Sequence, residues 1–200
     1  MRVIAGKYRG HSLRSLQGKD TRPTSDRLRE TLFNVLTAGN PAALEGTVWL
    51  DLFAGTGAVG IEAFSRGAQE VFFVETSAPA AKVIEQNLRS LNITEGYKIV
   101  RDDLAGVFWR LRRQHVTADV VFLDPPYRMQ EAYEHALTAL ADSSVIWAMS
   151  LVIAEHEKRF TPPSEVGSLR RVRTLVQGNS ALSFYRIGGR PDLNELVNKT

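Results

Sequence analysis

The four residues 124–127, Asp-Pro-Pro-Tyr, directly follow the apolar run at 120–123. If that run is a strand, the motif places a carboxylate, a rigid carbonyl and an aromatic ring at the carboxyl edge of a sheet. The prolines fix φ and remove competing N–H donors, so the Pro125 carbonyl is held in place. These groups suit a planar ring that carries an exocyclic amine. The motif therefore indicates an enzyme that acts on the amino group of a nucleobase.

The chemistry expected at this motif is nucleophilic attack by a base amine. Such an amine is a poor nucleophile because its lone pair is delocalised into the ring. Asp124 and the Pro125 carbonyl would accept its two N–H bonds and free the lone pair, while Tyr127 offers a face for stacking. As the new bond forms, the Asp124 carboxylate stabilises the positive charge that reaches the nitrogen. We assign the catalytic site to four residues: Asp124, Pro125, Pro126 and Tyr127.

A glycine-rich loop lies at residues 51–60, Asp-Leu-Phe-Ala-Gly-Thr-Gly-Ala-Val-Gly. Gly55, Gly57 and Gly60 have the GxGxxG spacing, and Glu75 ends the next apolar run, 20 positions after Gly55. Glycines let the backbone approach a ligand, and a carboxylate at that distance can hold a ribose diol. Taken alone, the pattern fits a dinucleotide enzyme as well as a methyltransferase.

Two further acidic residues favour S-adenosylmethionine as the ligand. Asp51, just before the loop, would repel a pyrophosphate but can serve the cationic amino-acid end of S-adenosylmethionine. Asp103 follows the third strand and can accept a hydrogen bond from an adenine amino group, although N-capping of a helix is the alternative role. With Glu75, three carboxylates after three successive strands suit a ligand that has an ammonium, an adenine and a ribose.

Strands and helices must alternate along the chain to position these groups. Apolar runs predict seven strands, at 48–52, 71–75, 97–100, 119–123, within 145–154, at 170–176 and at 181–187. Helical periodicity predicts helices at 58–66, 78–91, 104–113 and 130–140. This order indicates an α/β fold with a mostly parallel seven-stranded sheet, helices on both faces and a C-terminal antiparallel hairpin. The apolar surroundings of Trp49, Trp109 and Trp147 predict core positions.

The first 40 residues are predicted to form a small appendage, and residues 41–200 the main domain. Residues 3–5 and 12–13 flank a glycine-containing turn and predict a short β-hairpin; a helix then begins after Thr24 or Ser25. Residues 1–30 contain eight Lys or Arg against three Asp or Glu, a net charge of +5, whereas the whole chain has +3. A basic arm on a near-neutral body indicates contact with a polyanion, without separating RNA from DNA.

The composition argues against several other classes of protein. The chain has no cysteine, which excludes disulfides and thiolate metal sites, and its four histidines lack metal-ligand spacing. No apolar run approaches the roughly 20 residues that span a bilayer. The first seven residues are too short and too polar for a secretory signal. We therefore expect a cytoplasmic protein without a metal or a membrane partner.

The motif at 124–127, together with residues 51–57, resembles those of class I S-adenosylmethionine-dependent amino-methyltransferases, which have a Rossmann-like fold. Residues 2–10 and 22–34 narrow the resemblance to the bacterial RsmD-type 16S rRNA guanine-N2 methyltransferases. The resemblance covers nearly the whole chain, with the motifs in the family's order. It implies methyl transfer to the N2 amine of one guanine in 16S rRNA, within an assembled or partly assembled 30S particle. S-adenosylhomocysteine would be the product, and we expect a monomer.

The resemblance also implies roles for individual residues. Around the cofactor it implies Asp51, Phe53, Ala54, Gly55, Thr56, Gly57, Glu75, Thr76, Asp103 and Leu104. For RNA it implies Lys7, Arg9, Arg22, Thr24, Arg27 and Tyr127. The segment from Arg22 to Arg27 would close over the site and face the RNA.

Three alternatives remain open at the level of sequence. A DNA or other RNA amino-methyltransferase, acting on adenine N6 or cytosine N4, would share both motifs. A nicotinamide-dependent oxidoreductase would use the glycine loop but not Asp-Pro-Pro-Tyr. A non-catalytic RNA-binding assembly factor would keep the fold without the reaction. Residues 161–173 receive no role.

Overall fold

The computed structural model describes residues 1–16, 25–126 and 129–188. The chain divides into two compact units between Arg101 and Asp102. Three of the predicted site residues, Arg22, Thr24 and Tyr127, lie outside the described residues. None of the described helices is long and apolar enough to cross a membrane.

The first unit, residues 1–101, contains three helices and three strands among its described residues. In chain order they are α1 Asp26–Leu36, β1 Val48–Leu52, α2 Ala58–Ser65, β2 Glu70–Val74, α3 Ala78–Ser90 and β3 Tyr97–Val100. The strands are parallel, with β2 between β1 and β3. α1 begins as predicted, because the Ser25 hydroxyl accepts a hydrogen bond from the Leu28 N–H at 3.1 Å.

The start of α2 packs closely against β2 at Gly60. A Cβ atom on Gly60 would lie 2.4 Å from Cε1 of Phe73 and 2.8 Å from Cγ1 of Val71. Real atoms do not approach so closely, so only glycine fits here. The third glycine of the predicted loop thus serves helix–strand packing, as it does in nucleotide-binding folds.

Residues 1–16, here called the N-terminal segment, form a hairpin-like loop instead of two strands. One antiparallel bridge joins Arg2 and Ser12. The Val3 N–H donates across the hairpin to the His11 carbonyl at 3.0 Å, whereas the N–H groups of Ile4 and Ala5 bind the Glu62 carboxylate at 2.7 and 3.0 Å. The predicted hairpin is therefore present but short: its first arm stops pairing after Val3, because a side chain of α2 takes the next two donors that a strand ladder would need.

The N-terminal segment is bound to both α2 and α3. The Lys7 and Tyr8 N–H groups donate to the carbonyl and hydroxyl of Ser65, at 2.7 and 3.0 Å. Arg14 N–H donates to Oδ1 of Asn87 at 2.8 Å, and Nδ2 of Asn87 donates back to the Arg14 carbonyl at 3.2 Å. Gly6 sits so close to Ser65 that a Cβ would fall 1.8 Å from its carbonyl oxygen. The segment therefore packs as part of the first unit.

The second unit, residues 102–200, contains two helices and five strands in its described part. They are α4 Leu104–Arg113, β4 Val120–Leu123, α5 Gln130–Ala141, β5 Leu151–Glu157, β6 Glu165–Val166, β7 Leu169–Gln177 and β8 Ser180–Ile187. β4 and β5 are parallel, and β5, β8, β7 and β6 then pair antiparallel in that order. β7 and β8 form the predicted C-terminal hairpin, with Gly178 at φ 62° in its turn.

Three details of the second unit differ from the sequence predictions. The fifth strand begins at Leu151; Val145 and Ile146 before it are buried, but they belong to a loop. The short strand β6 is additional and lies in the stretch 161–173 that received no role. Trp109 is 58% exposed, so its predicted core position is wrong, whereas Trp49 is fully buried.

Candidate active site

The glycine loop joins β1 to α2 through three residues with left-handed backbone. Phe53, Gly55 and Gly57 have φ values of 62°, 54° and 76°, and the Gly57 N–H closes a turn onto the Ala54 carbonyl at 2.7 Å. Gly57 is also the N-cap of α2, and no side chain caps the helix there. The loop therefore presents backbone at the start of a helix, where a ligand can come close.

Glu75, directly after β2, is bound to this loop. Its Oε2 accepts a hydrogen bond from the Gly55 N–H at 2.9 Å, and its Oε1 accepts one from the Ser77 N–H at 2.8 Å. The side chain is half-buried, and Thr76 beside it is exposed. Since each carboxylate oxygen has two lone pairs, Glu75 keeps acceptor capacity for the hydroxyls of a ribose.

Asp51 lies at the end of β1 and is only 2% exposed. Its Oδ2 accepts a hydrogen bond from the Gly60 N–H at 3.0 Å. Burial raises the pKa of this carboxyl to about 7, the Gly60 bond acts in the opposite direction, and the nearby charge of Glu75 raises it further. Within the described ranges, no salt bridge reaches Asp51. Asp51 is thus a buried acid next to the glycine loop, and no cationic side chain pairs with it in the described ranges. Such an acid is suited to a positively charged ligand.

Asp103, in the second unit, is the N-cap of α4. Its Oδ1 accepts a hydrogen bond from the Gly106 N–H at 2.8 Å, and its own N–H donates to Oδ1 of Asp102 at 2.9 Å. The capping role considered for Asp103 is therefore present. The side chain is exposed, and its Oδ2 atom is not used in the cap, so capping leaves an acceptor for an adenine amine. Leu104, the first residue of α4, is half-buried.

Asp124, Pro125 and Pro126 follow β4 as predicted. Asp124 is half-buried, Pro125 is buried and Pro126 is exposed. The fully buried Tyr133 of α5 supports them: its hydroxyl donates to the Glu155 carbonyl at 2.8 Å and lies 3.5 Å from the Pro125 carbonyl oxygen. The carbonyl assigned to the base amine is thus held between proline rings and a buried tyrosine.

Of the residues predicted to bind RNA, the structure describes Lys7, Arg9 and Arg27, and all three are exposed. Arg9 and Arg27 come together with Arg2 around a cavity of about 400 Å³ between the N-terminal segment and α1. Two acidic residues, Asp26 and Glu30, also line it. Lys7 lies apart from this cavity, with its Nζ 5.3 Å from the centre of the Tyr8 ring.

No group of three or more histidine or acidic side chains in the described part of the chain could hold a metal ion. The described part of the candidate site offers backbone groups, single carboxylates and the carbonyls of prolines.

Comparison with known proteins identifies the family. Residues 1–186 match the family described as conserved hypothetical protein 95. The chain is 32% identical over 189 residues to the putative rRNA methyltransferase YlbH of Bacillus subtilis, covering 94% of this chain and all of YlbH. It is 35% identical over 158 residues to ribosomal RNA small subunit methyltransferase D of Haemophilus influenzae, covering 79% of each chain. The chain belongs to the RsmD-type methyltransferase family.

Solved structures agree with this membership. A putative methyltransferase from Escherichia coli, YhhF, matches with a TM-score of 0.77 and 29% identity, covering 95% of this chain and 99% of that one. A hypothetical protein from Thermus thermophilus matches with a TM-score of 0.78 and 29% identity, covering 94% of this chain and 99% of that one. The predicted Rossmann-like class I methyltransferase fold is therefore confirmed for this RsmD-type chain.

Two buried polar residues with structural roles, Tyr133 and Glu62, were not found from the sequence. Tyr133 lies on the buried face of α5, where a hydroxyl needs a partner, and this polar atom on an apolar face was the available signal. Glu62 is the only charged residue in the α2 sequence Ala-Val-Gly-Ile-Glu-Ala-Phe-Ser. A lone charge in an apolar helix indicates a buried polar contact, here with the N-terminal segment and Arg29.

Proposed function

We propose that this protein transfers a methyl group from S-adenosylmethionine to the N2 amine of a guanine in 16S rRNA. The observation that carries the proposal is the near-full-length similarity to rRNA methyltransferases in a chain that keeps both the glycine loop and Asp-Pro-Pro-Tyr. The name of the Haemophilus influenzae relative specifies the small subunit of the ribosome, and the choice of guanine N2 follows from the resemblance of residues 2–10 and 22–34.

Asp51, Glu75 and Asp103 are proposed to bind the three polar parts of S-adenosylmethionine. Asp51 would hold the cationic amino-acid end, since a buried carboxylate with a pKa raised to about 7 gains most from an incoming cation. Glu75 would hold the ribose and Asp103 the adenine amine, with Leu104 beside it. Backbone of the glycine loop and Thr76 would complete the site. The bound cofactor supplies a methyl group on a sulfonium, and S-adenosylhomocysteine is the product.

Asp124 and the Pro125 carbonyl are proposed to grip the two N–H bonds of the target amine. They would direct its lone pair toward the methyl group, and the Asp124 carboxylate would stabilise the positive charge arriving on the nitrogen. Tyr127 would stack on the base. Because the methyl group is already activated, orientation supplies much of the acceleration; such terms reach roughly 7–11 kcal/mol. Tyr133, fixed by its hydrogen bond to the Glu155 carbonyl, lies beside the Pro125 carbonyl and supports the motif from the buried side.

The N-terminal region is proposed to bind the RNA backbone. Arg9 and Arg27 line one cavity, Lys7 is exposed nearby in sequence, and Arg22 and Thr24 belong to the segment between them. The target guanine must leave its stack before its amine can reach a methyl donor, which costs a few kcal/mol. We infer a cytoplasmic, monomeric enzyme whose substrate is a whole or partly assembled 30S particle, with residues 1–40 as the appendage.

Methylation with labelled cofactor tests the proposal directly. The protein is incubated with labelled S-adenosylmethionine and naked 16S rRNA, undermethylated 30S particles or DNA, and the products are digested to nucleosides. We expect label in N2-methylguanine from the RNA substrates. Label in N6-methyladenine or N4-methylcytosine would instead identify the alternative amino-methyltransferase. Absence of label with intact RNA binding would identify a non-catalytic assembly factor.

The role of Asp124 is tested by Asp124→Ala. Loss of this acceptor should lower the single-turnover rate of methyl transfer about 100- to 1000-fold, the range for removing one transition-state contact. Cofactor affinity should change little. Asp142→Ala, at the exposed C-cap of α5, is the matched control and should leave both quantities unchanged. Loss of cofactor binding with unchanged chemistry would contradict the assignment.

The role of the N-terminal arginines is tested by charge reversal at Arg9 and Arg22. Each reversal should weaken RNA binding and reduce the dependence of affinity on salt, since fewer counterions are released. Arg159→Glu, an exposed arginine of the second unit, serves as the control for net charge. Equal affinities for wild type and both variants, at low and at high salt, would remove the basic arm from the RNA interface.

A further inference from the structure

We propose that the C-terminal half of α4 is a second RNA-binding surface, on which Trp109 stacks against an unpaired base. The surface, here called the α4 patch, consists of Trp109, Arg110, Arg112, Arg113 and Gln114. The inference rests on the proposed function, since it assigns a further contact to the same RNA substrate.

Trp109 faces solvent although Phe108, directly before it, is buried. Val107, Phe108 and Leu111 form the buried face of α4, and Trp109 lies on the other side with 58% of its surface exposed. The helix is therefore anchored without Trp109. A large aromatic side chain left exposed, beside several charged groups, is a common mark of a binding surface.

The indole ring is already arranged as a stacking surface. The Arg113 guanidinium lies 4.8 Å from the centre of the Trp109 ring, in a cation–π contact. Trp109, Arg110, Arg113 and Gln114 together line an open depression of about 260 Å³. Arg110 is held at one side of it by a 3.0 Å salt bridge from its Nη2 to Oδ2 of Asp102. An aromatic ring that carries a guanidinium is the combination that single-stranded nucleic acids bind through stacking and charge.

The charge of α4 selects a polyanion as the occupant. Residues 104–113 include three arginines and no acidic residue, and the exposed Arg112 has no role in the buried face. Arginines in a last turn also complement the helix dipole. That effect accounts for the arginines but leaves Trp109 unexplained. Binding of an unpaired RNA base, with the arginines on the flanking phosphates, accounts for both.

The position of the patch on α4 suits a substrate contact distinct from the cofactor contact. Trp109 is six residues after Asp103, so the two lie about 9 Å apart along the helix axis. The N-terminal end of α4 is assigned to adenine and its C-terminal half to RNA. The second unit thereby gains an RNA contact outside the Asp-Pro-Pro-Tyr motif, in addition to Arg9 and Arg27 in the first. Two tethered contacts strengthen binding more than either does alone.

The test compares Trp109→Ala, Trp109→Phe and Arg113→Glu with wild type. The measurements are the Kd for a labelled single-stranded fragment of 16S rRNA at low and high salt, and kcat and KM for methylation of undermethylated 30S particles. Val176→Ala and Arg159→Glu are matched controls, since both side chains are exposed in the same unit. Thermal melting checks that each variant is folded.

The expected results separate stacking from charge. Trp109→Ala should weaken RNA binding about 5- to 100-fold and raise KM without lowering kcat, while Trp109→Phe should restore most of the affinity. Arg113→Glu should weaken binding with a smaller salt dependence. The controls should match wild type within about twofold, a margin below the loss expected for one stacked base.

Different results would contradict the α4 patch and the proposed function. Unchanged RNA affinity and KM in Trp109→Ala, while wild type methylates RNA, would refute the α4 patch and leave the proposed function intact. A raised KM for 30S particles with unchanged affinity for naked RNA would show that Trp109 meets a ribosomal protein, which also overturns the RNA assignment. A wild type that methylates no RNA would contradict the proposed function itself, whereas its RNA affinity would still test Trp109.

Discussion

Two buried carboxylates of the first unit, Asp51 and Glu62, have opposite surroundings. Glu62 is fully buried in α2 and accepts the Ile4 and Ala5 N–H groups. It also contacts two arginines, with Nε of Arg66 at 2.8 Å and Nε of Arg29 at 3.8 Å. Asp51, at the end of β1, is also buried. It accepts one hydrogen bond, from the Gly60 N–H, and forms no salt bridge with the described residues.

The difference separates a carboxylate that builds the fold from one that is assigned to a ligand. A buried charge is tolerated when cations and N–H donors surround it, and Glu62 has both. Asp51 lacks the cation, and burial accordingly raises its pKa to about 7. We infer that its stabilising partner is the positively charged end of the cofactor. Burial lowers the pKa of Arg29 in this cluster, and the charges of Asp26 and Glu62 act in the opposite direction.

The largest expected effect comes from Glu62→Gln, which would break the charged cluster. The variant leaves half-buried Arg66 without its carboxylate and buried Arg29 with Asp26 alone. Breaking a buried ion pair costs about 3–5 kcal/mol. The free energy of unfolding in urea measures this loss. Glu70→Gln is the matched control, because its 3.4 Å salt bridge to Lys98 is partly exposed and is worth at most about 1 kcal/mol. Equal losses of unfolding free energy in the two variants would mean that the buried Glu62 cluster stabilises the fold no more than the partly exposed salt bridge does.

The next largest effect is expected from Asp51→Asn, and it has the opposite sign. Between about pH 4 and 7 the folded protein keeps a proton on Asp51 that the unfolded chain has lost, so stability falls as pH rises and is level above pH 7. The total penalty is at most about 4 kcal/mol. Asp51→Asn removes the penalty and should be more stable than wild type at pH 8, equally stable at pH 4, and weaker in binding S-adenosylmethionine.

Urea unfolding without cofactor at pH 4, 6 and 8 measures the stability effect, and calorimetric titration measures cofactor affinity. Asp142→Asn, an exposed carboxylate with the same change in charge, should show neither effect. A loss of stability at pH 8 in Asp51→Asn would show that Asp51 supports the fold as Glu62 does, and the contrast between the two would disappear.

The smallest effect is expected from Glu75→Gln, which tests how much the charge of Glu75 raises the pKa of Asp51. Glu75 raises the pKa of Asp51 through its negative charge, so neutralising it should move the stability transition of Asp51 to lower pH. The glutamine oxygen can still accept the Gly55 N–H that Glu75 now binds. The pH dependence of unfolding measures the shift, with Glu85→Gln on the exposed face of α3 as control. An unmoved transition would mean that burial alone raises the pKa of Asp51.

Local signals predicted most of the fold. The strand at 48–52 and the helix at 104–113 have the predicted bounds, because alternating apolar runs and capping residues act over short distances. The predicted N-terminal hairpin pairs only as far as Val3, because the N–H groups of Ile4 and Ala5 bind Glu62, 58 and 57 residues later in the chain. Trp109 was predicted to be buried because residues near it in sequence are apolar. Those residues lie on another face of α4, and Trp109 is exposed.

The site was predictable where one short segment contains its chemistry. The left-handed backbone of the glycine loop and its bond to Glu75 follow from a spacing that is visible in the chain. The raised pKa of Asp51 does not, because it depends on how completely β1 is covered by the rest of the first unit. The support of Pro125 by Tyr133 likewise depends on how α5 packs against β4 and β5.

The attachment of the N-terminal segment to later parts of the chain has a consequence during protein synthesis. Arg14 is 73 residues from its partner Asn87, and Tyr8 is 57 residues from Ser65. A ribosome adds roughly 5–20 residues per second, so Arg14 waits about 4–15 seconds for its partner to be made. The contacts with α2 can form first, but the Arg14 end of the segment has no partner until α3 has been made. The part of the chain assigned to RNA is therefore made early and fixed late.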